Sequence, residues 1–359
     1  MVVRDGLYHP ALLNGEIQME GDGKAELKHL AQGIVLAQGN VFIKELLRDK
    51  GLRIGATKAD FITSLNAAID SGQLSSQDLE DWLHRVEGWG QEYVYLFKVP
   101  AAIANDPLWS DPNAVSKRVA AAGLKEFWEA SSSLQFPERL KLTGVYFRDS
   151  QLRYIWHQGV SSWYRDRSKD YTEVVEDDRY EFRAYRQKSE RTVMRFELRL
   201  QRRLAAAFVQ IPVTSDEHEG ALRQMWQVVT PLVDRAALEA FNVSNAIKQL
   251  DQLQLRSANG DLRTQQARMS GQGAYVEFGS TSPDRGYRDV DPIREVRLAL
   301  KPEDVSGNTA TIIFSAPADK GPGKNVRVQF YGDAQRIWLR AQMTEEQVWE
   351  LLELIKDCG

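Results

Sequence analysis

Residues 41–65, VFIKELLRDKGLRIGATKADFITSL, have the pattern of two short helices joined by a glycine-bounded basic loop. The first helix carries its apolar residues on one face, at Ile43, Leu46 and Leu47. Gly51 follows at the position where a helix ends, because glycine accepts the left-handed backbone conformation found there. Thr57 is a good N-cap for a second helix from Lys58 to Ala68, and Asp60 supports its start. The segment therefore predicts a helix–loop–helix unit.

A small core is expected between the two helices. Leu52 and Ile54 in the loop are predicted to point back into it. Three residues of the second helix are predicted to complete this core: Phe61, Ile62 and Leu65.

The loop and the start of the second helix form a predicted phosphate-binding site. Backbone N–H groups at a helix N-terminus bind anions when they are unpaired, and Gly55 and Thr57 shape that end. Basic side chains surround the point, at Lys44, Arg48, Lys50, Arg53 and Lys58. Such contacts hold a protein on a nucleic-acid backbone without reading its sequence. The alternative is an αα-hairpin whose glycines serve only its turns.

This layout resembles the SAP module, a two-helix element of DNA-repair, chromatin and nuclear-matrix proteins that binds DNA with little sequence preference. The resemblance covers about 25 residues and rests on Glu45-Leu46-Leu47, Gly51-Leu52, Gly55, Lys58, Asp60 and Leu65. Ser64 stands where the family commonly has a basic residue, so one phosphate contact of the family is missing here. The resemblance implies binding to DNA, with double-stranded DNA as the expected partner.

A second basic segment is Arg179 to Arg203, with nine basic and three acidic residues, in a protein whose formal net charge is −4. Its even positions from Met194 to Leu200 are apolar and its odd positions polar, which predicts a strand with one solvent-facing basic side. Strands 180–185 and 192–200 are predicted to pair across residues 187–191, with Tyr180 and Phe182 facing inward. The predicted DNA contacts on this ribbon are Arg183, Arg186, Lys188, Arg195, Arg199 and Arg203. Aromatic residues that could stack on bases are Trp156, Trp163, Tyr164 and Tyr185.

The alternative for this ribbon is a solvated antiparallel sheet with Arg–Glu pairs across its strands. The acidic residues just upstream, including Glu176, Asp177 and Asp178, could neutralise its charge.

The chain as a whole is also similar in layout to the CENP-N kinetochore family. A small helical module is followed by aromatic hairpins, a basic β region and a second α/β part, and residues 145–156, VYFRDSQLRYIW, resemble the first hairpin of that family. The resemblance implies binding to nucleosomal DNA through a basic groove. It transfers no individual residue.

Composition excludes several classes of protein. The single cysteine, Cys358, excludes internal disulfides and cysteine-cluster zinc sites and suits a reducing compartment. No apolar run approaches the length of a transmembrane helix, and the first 24 residues break their apolar pattern too early for a signal peptide. We therefore expect a non-secreted, non-membrane protein of the cytoplasm or nucleoid in a prokaryote, or of the nucleus in a eukaryote.

The periodicity predicts an α+β fold: an N-terminal arm (1–23), a mainly helical module (24–136), an antiparallel β region (137–215), a helical segment (216–260) and a C-terminal sheet closed by an amphipathic helix (261–359). In detail, we expect a helix over 115–130, a helical region over 218–254 divided near Pro231, and a strand at 293–300, IREVRLAL.

No Walker loop, GxGxxG, GxSxG or HExxH motif is present, so no cofactor, metal or catalytic residue is predicted and the chain is taken as a non-enzyme. A DNA-binding protein is the leading interpretation. One alternative is a protein–protein adaptor within a larger complex. The other is a metal-dependent nuclease. Asp22 with Glu26-Leu27-Lys28 is one candidate cluster, but it lacks the strand that such sites use; the next is the acidic run Glu176-Asp177-Asp178 with Glu181 and Lys188.

Overall fold

The computed structural model describes residues 22–86, 88–130, 137–210, 215–253, 262–271, 273–282, 286–290, 292–293, 295–296, 305–315 and 325–359. The chain divides into two compact units, residues 1–79 and 80–359. The predicted α+β class is confirmed, since helices at the N-terminal end are followed by a large antiparallel sheet. Most of the predicted N-terminal arm lies outside the described residues.

The first unit is helical. Its helices are α1 (Asp22–Ala37), α2 (Asn40–Asp49), α3 (Lys58–Asp70) and the beginning of α4 (Ser76–Val86), which continues into the second unit. Gly51 ends α2 with a φ of +64°, so the predicted glycine stop is confirmed. The core of the helix pair is formed by buried residues Ile43, Leu46, Leu47, Phe61 and Leu65. The inward position expected for Ile54 is wrong, because its side chain is 43% exposed on the outside of the loop.

The second unit is built on one large antiparallel sheet. Its strands, with the small separate pair β4 and β5, are β1 (Gly90–Lys98), β2 (Lys141–Arg148), β3 (Gln151–Arg165), β4 (Tyr171–Val175), β5 (Asp178–Phe182), β6 (Tyr185–Arg199), β7 (Leu204–Val209), β8 (Glu239–Ala240), β9 (Leu262–Gly271), β10 (Ala274–Gly279), β11 (Ser306–Phe314), β12 (Val326–Tyr331) and β13 (Arg336–Gln342). Its helices are α5 (Ala101–Ala104), α6 (Pro112–Ala121), α7 (Ser215–Val229), α8 (Val243–Leu253) and α9 (Glu345–Lys356).

The strand order of the sheet is β10-β9-β11-β12-β13-β1-β7-β6-β3-β2, with β8 beside β1. The hairpin predicted around residues 149–150 joins β2 to β3. Asp149 and Ser150 adopt φ values of 50° and 61°, the left-handed conformations that a two-residue hairpin turn requires.

Two hydrophobic cores lie on opposite faces of this sheet. One packs α8 and α9 against β1, β7 and the strands from β9 to β13, and its large members include Phe208, Phe330 and Trp349. The other packs α6 and α7 against β2, β3, β6 and β7, and it includes Phe196 and Trp226. Outside the strands that both cores share, each half of the sheet therefore has one face in a core. The candidate binding residues lie on the opposite faces.

Several local predictions need correction. The helix expected over 115–130 ends at Ala121, where Gly123 follows with a φ of +77°. The division predicted near Pro231 is confirmed, since α7 ends at Val229, but turns and β8 separate α7 from α8. The strand predicted at 293–300 is helical at its described residues, 293 and 295–296, and the rest lies outside the described part. Within the described residues, no helix combines the length and apolar character needed to cross a membrane.

Candidate nucleic-acid interfaces

The N-terminus of α3 is closed by its own side chains. The Asp60 amide donates to the Thr57 hydroxyl (3.2 Å), while the Asp60 carboxylate accepts from the amides of Ala56 (3.0 Å) and Thr57 (2.9 Å). These bonds, chiefly the one from the Thr57 backbone, lower the pKa of Asp60. The expectation of unpaired N–H groups is therefore wrong for these three amides, because the capping box satisfies them and places a negative charge at the helix end.

Gly55 makes this cap possible. A Cβ atom at Gly55 would lie 2.1 Å from the Cβ of Asp60, which is closer than two carbon atoms can approach. The glycine is thus required so that the carboxylate can reach the backbone, rather than to hold a phosphate.

Two of the predicted phosphate contacts have partners inside the first unit. Lys50 forms an ion pair with Asp78, and this bond, together with bonds from Ser75, lowers the pKa of Asp78 to about 2. The Lys58 ammonium donates to the backbone carbonyl of Gln38 (3.1 Å), just beyond the end of α1. Carbonyl groups at a helix end carry partial negative charge, so this bond stabilises the packing of α1.

The remaining basic residues of the helix pair have fewer intramolecular partners and can contact a ligand. Arg48 and Arg53 are exposed, and neither forms an ion pair with any residue that the structure describes. The Lys44 ammonium lies 6.0 Å from the centre of the Phe61 ring. The Ser64 hydroxyl donates to the carbonyl of Arg53 (2.8 Å), so it fixes the loop at the position where the SAP family commonly has a basic residue.

The predicted basic ribbon does not form as expected. Strand β5 pairs with β4, and β6 pairs with β3 along its whole length, so 180–185 and 192–200 are not partners. The predicted turn at 187–191 contains no glycine, asparagine or proline, and β6 runs straight through it. The chain turns instead at Glu176 and Asp177, whose φ values of 49° and 67° allow a tight hairpin.

The face of β6 that was predicted to meet solvent is buried. Arg195 is 3% exposed, Glu197 1% and Arg199 6%, so Arg195 and Arg199 cannot contact DNA. The guanidinium carbon of Arg195 lies 3.7 Å from the centre of the Trp89 ring, and that of Arg199 lies 4.2 Å from the centre of the Trp349 ring. The prediction fails because α9 and the segment before β1 cover this face.

Six charged residues form a compensated cluster on this covered face: Glu92, Arg153, Arg195, Glu197, Arg199 and Glu345. Arg195 Nη2 lies 2.9 Å from Glu92 Oε2 and 2.8 Å from the carbonyl oxygen of Gly88. Glu197 receives Arg153 Nε at 2.9 Å and Arg199 Nη2 at 3.3 Å. We call this set the buried ion cluster. Its three arginines face three glutamates, so Arg195 and Arg199, two of the nine basic residues counted in 179–203, add no positive charge to the surface.

The two fully buried carboxylates of the cluster differ in pKa. Burial raises the pKa of Glu92 to about 7, although the Arg195 charge opposes the shift. Burial acts in the same direction on Glu197, but the charges of Arg153, Arg195 and Arg199 outweigh it and lower the pKa. Glu197 is therefore the stable anion at the centre of the cluster.

The other predicted ribbon contacts are scattered. Arg183 is exposed and pairs with Glu181 (3.4 Å). Arg203 lies in the turn after β6 and donates to the carbonyl of Val99 (3.1 Å). For Arg186 and Lys188 the structure gives only backbone positions in β6, opposite Tyr164 and Ser162, and their side chains lie outside the described part.

The predicted stacking residues also separate. Trp156 is buried and stacks on Tyr154, so it belongs to the core. Trp163 and Tyr185 are 66% and 53% exposed, and the guanidinium of Arg165 lies 5.7 Å from the Tyr185 ring centre. The side chain of Tyr164 is not among those described.

The β4–β5 hairpin presents apolar side chains to solvent. Every residue of both strands is exposed, which contradicts the inward orientation predicted for Tyr180 and Phe182. Tyr171 and Phe182 stack with ring centres 4.7 Å apart, and Val174 is 67% exposed. Large exposed apolar groups of this kind are uncommon on a monomer surface and often mark a site of protein contact.

Sequence reasoning missed an arginine-rich face on the C-terminal half of the sheet. It lies opposite the α8–α9 core and is formed by Tyr93, Arg268, Arg327, Tyr331, Arg336, Trp338 and Arg340. We call it the arginine face. In the described part of the chain, no carboxylate forms an ion pair with any of its four arginines. The carboxylate of Glu277, which also lies on this side of the sheet, accepts a bond from Gln266 (2.6 Å).

A period-two pattern could have revealed this face. In VRVQFY, residues Val328 and Phe330 are buried while Arg327 and Tyr331 are on the other side. In RIWLRA, Ile337 and Leu339 are buried while the intervening side chains are basic or aromatic. Both strands are therefore predictable from the sequence, and their alternate residues define the arginine face.

Among the described residues there is no group of three or more histidine, cysteine, aspartate or glutamate side chains that could hold a metal ion. The acidic run suggested for a nuclease forms the turn of the exposed β4–β5 hairpin. A comparison with protein-family models found no match, and a search of curated proteins found none either.

Proposed function

We propose that this protein binds double-stranded DNA through the helix pair, by contact with the phosphate backbone and without reading base sequence. The observation that carries the proposal is the position of Arg48 and Arg53. Both side chains are exposed beside the loop between α2 and α3, and both lack an ion-pair partner among the described residues. The resemblance of this segment to the SAP module supports the same conclusion.

Fewer side chains can contact phosphate than the five basic residues predicted for the helix pair. Lys50 and Lys58 already bond to Asp78 and Gln38, and Asp60 occupies the helix end. Phosphate contact therefore falls chiefly to the two arginines, with Lys44 beside them. Guanidinium groups suit this task because their planar donors bind phosphate oxygens in pairs.

A salt titration of duplex binding tests the proposal. Binding should weaken as salt rises, because each neutralised phosphate releases counterions. The variant R48Q/R53Q should lower the affinity and reduce the slope of log K against log salt by about 1 for each arginine removed. The control K117Q/K125Q removes two exposed charges from another part of the chain and should leave both quantities unchanged.

Two results would count against the helix pair. If wild-type protein binds no duplex at low salt, the proposed function is wrong. If R48Q/R53Q binds as well as the control variant, DNA contact lies elsewhere.

A second candidate function, a protein–protein adaptor, is favoured by the exposed apolar side chains of the β4–β5 hairpin. The variant Y171S/F182S should then lose a stable protein partner that the wild-type chain retains after nuclease treatment. Retention of the same partner by this variant would exclude the hairpin as the contact.

A further inference from the structure

On the arginine face, Glu277 is the cross-strand partner of Arg268, whereas Arg327 and Arg340 form no ion pair with any carboxylate that the structure describes. Arg327 and Arg340 flank the paired residues Val328 and Leu339, so their side chains lie next to each other on neighbouring strands. Like charges in this arrangement destabilise a sheet. Such a cost is understandable where an anion binds between them.

The charges are spread over an area rather than gathered at a point. Arg336 and Arg340 are four residues apart on β13, about 13 Å along the strand. Arg268 lies on β9, three strands from β13, which is about 14 Å across the sheet. An area of this size suits an extended polyanion rather than a single phosphate group.

Aromatic rings are interleaved with these arginines. Tyr93 and Trp338 are cross-strand partners, and their rings stack with centres 5.6 Å apart. The guanidinium of Arg340 lies 4.8 Å from the Trp338 ring centre, and that of Arg336 lies 4.7 Å from the Tyr93 ring centre. Both rings are half-buried, and the Tyr93 ring also packs edge-to-face on His218 of α7, with ring centres 4.8 Å apart.

Arginines interleaved with aromatic rings favour a polyanion that also carries flat groups able to stack. Unpaired bases stack on aromatic rings and on guanidinium planes, whereas the bases of a duplex are stacked on each other. Arg268 and Arg340 are exposed at β9 and β13, so a nucleic-acid strand that lies across these strands can reach both. Acidic polypeptides share the charge of nucleic acid but offer few flat aromatic groups for stacking.

We propose that the arginine face is a second binding surface, separate from the helix pair, and that its ligand is single-stranded nucleic acid. The phosphates contact Arg268, Arg327 and Arg340, and bases stack against Trp338 and its neighbours. This assignment does not depend on duplex binding by the helix pair.

Fluorescence anisotropy tests the proposal with labelled oligothymidylate, a single-stranded RNA and a duplex of equal length. The variant R268Q/R327Q/R340Q should weaken single-strand binding at least tenfold and lower its salt slope by about 2. The control K117Q/K125Q/K141Q removes three exposed charges elsewhere and should behave as wild type. If the triple variant does not fold, R340Q alone serves, because Arg340 is exposed; it should lower the slope by about 0.7.

Stacking is tested separately with W338A, which should lose about fivefold or more in single-strand affinity at unchanged salt slope. Three results would overturn the proposal: no single-strand binding at low salt, unchanged binding by the arginine variant, or equal affinity for heparin with no effect of W338A. Binding of polyglutamate in place of oligonucleotides would show that the face takes acidic protein. If R48Q/R53Q loses duplex binding while R268Q/R327Q/R340Q binds single strands as wild type does, the helix-pair proposal stands and this one fails.

Discussion

Replacing Arg195 with methionine should destabilise the second unit more than any surface charge change, because Arg195 connects two fully buried carboxylates. It contacts Glu92 and Glu197, each 1% exposed, and it packs on the Trp89 ring. Removing one partner of a buried ion pair typically costs about 3–5 kcal/mol, because the other charge stays buried without compensation. For a unit of this size the loss corresponds to a fall in melting temperature of about 10 °C.

The pKa of Glu92 makes this cost depend on pH. The value of about 7 shows that burial already outweighs the attraction of Arg195. Without Arg195, Glu92 takes up a proton more readily, and a neutral carboxyl group costs less to bury than a charged one. R195M should therefore lose close to 5 kcal/mol at about pH 8 and nearer 3 kcal/mol at about pH 5, where Glu92 is protonated.

Urea unfolding followed by tryptophan fluorescence gives the free energies for a double-mutant cycle. R195M, E92L and R195M/E92L are compared, and the double variant should be more stable than the sum of the single losses predicts. Arg202, which pairs with Glu353 at the surface, supplies the control: R202M should cost less than about 1 kcal/mol. If R195M costs no more than R202M, or if the two single losses simply add, Arg195 does not compensate buried charge.

Three further predictions concern other parts of the fold. The pKa of Glu92 is raised in the folded state, so the folded protein binds a proton on Glu92 more tightly than the unfolded chain does. The free energy of unfolding should therefore fall as pH rises from about 4.5 to 7. E92Q should remove up to about 3 kcal/mol of this pH dependence, measured by urea unfolding at several pH values. G55A should push the Asp60 carboxylate away from the start of α3 and speed hydrogen exchange of the amides it caps by about fivefold, whereas unchanged exchange would mean that the capping box is unimportant. Y171S/F182S should leave the unfolding free energy within about 0.5 kcal/mol of wild type, because both side chains are exposed; a larger loss would place the β4–β5 hairpin in the folding core.

Features that depend on neighbouring residues could be predicted from the sequence. The stop of α2 at Gly51, the Thr57–Asp60 cap and the turn at residues 149–150 all follow from backbone conformations that a few side chains impose. The period-two pattern of β6 was also correct, since its apolar side lies in a core.

The sequence could not show which strands pair or what covers their second faces. Alternation in β6 separates an apolar side from a charged one, but α9, more than 140 residues later in the chain, covers the charged side with Glu345 and Trp349. For this reason Arg195 and Arg199 joined the core rather than a DNA surface. The same pattern in β12 and β13 leaves Arg327 and Arg340 without a carboxylate partner among the described residues.

The sequence by itself thus determined the helix pair, most strand positions and the α+β class, because these depend on short-range backbone preferences and on the period of apolar residues. Tertiary structure alone decided which arginines are buried and which remain available. The physical reason is that a guanidinium group is stable either in water or among carboxylates and aromatic rings, and only the packing of distant segments determines which of these surroundings it meets.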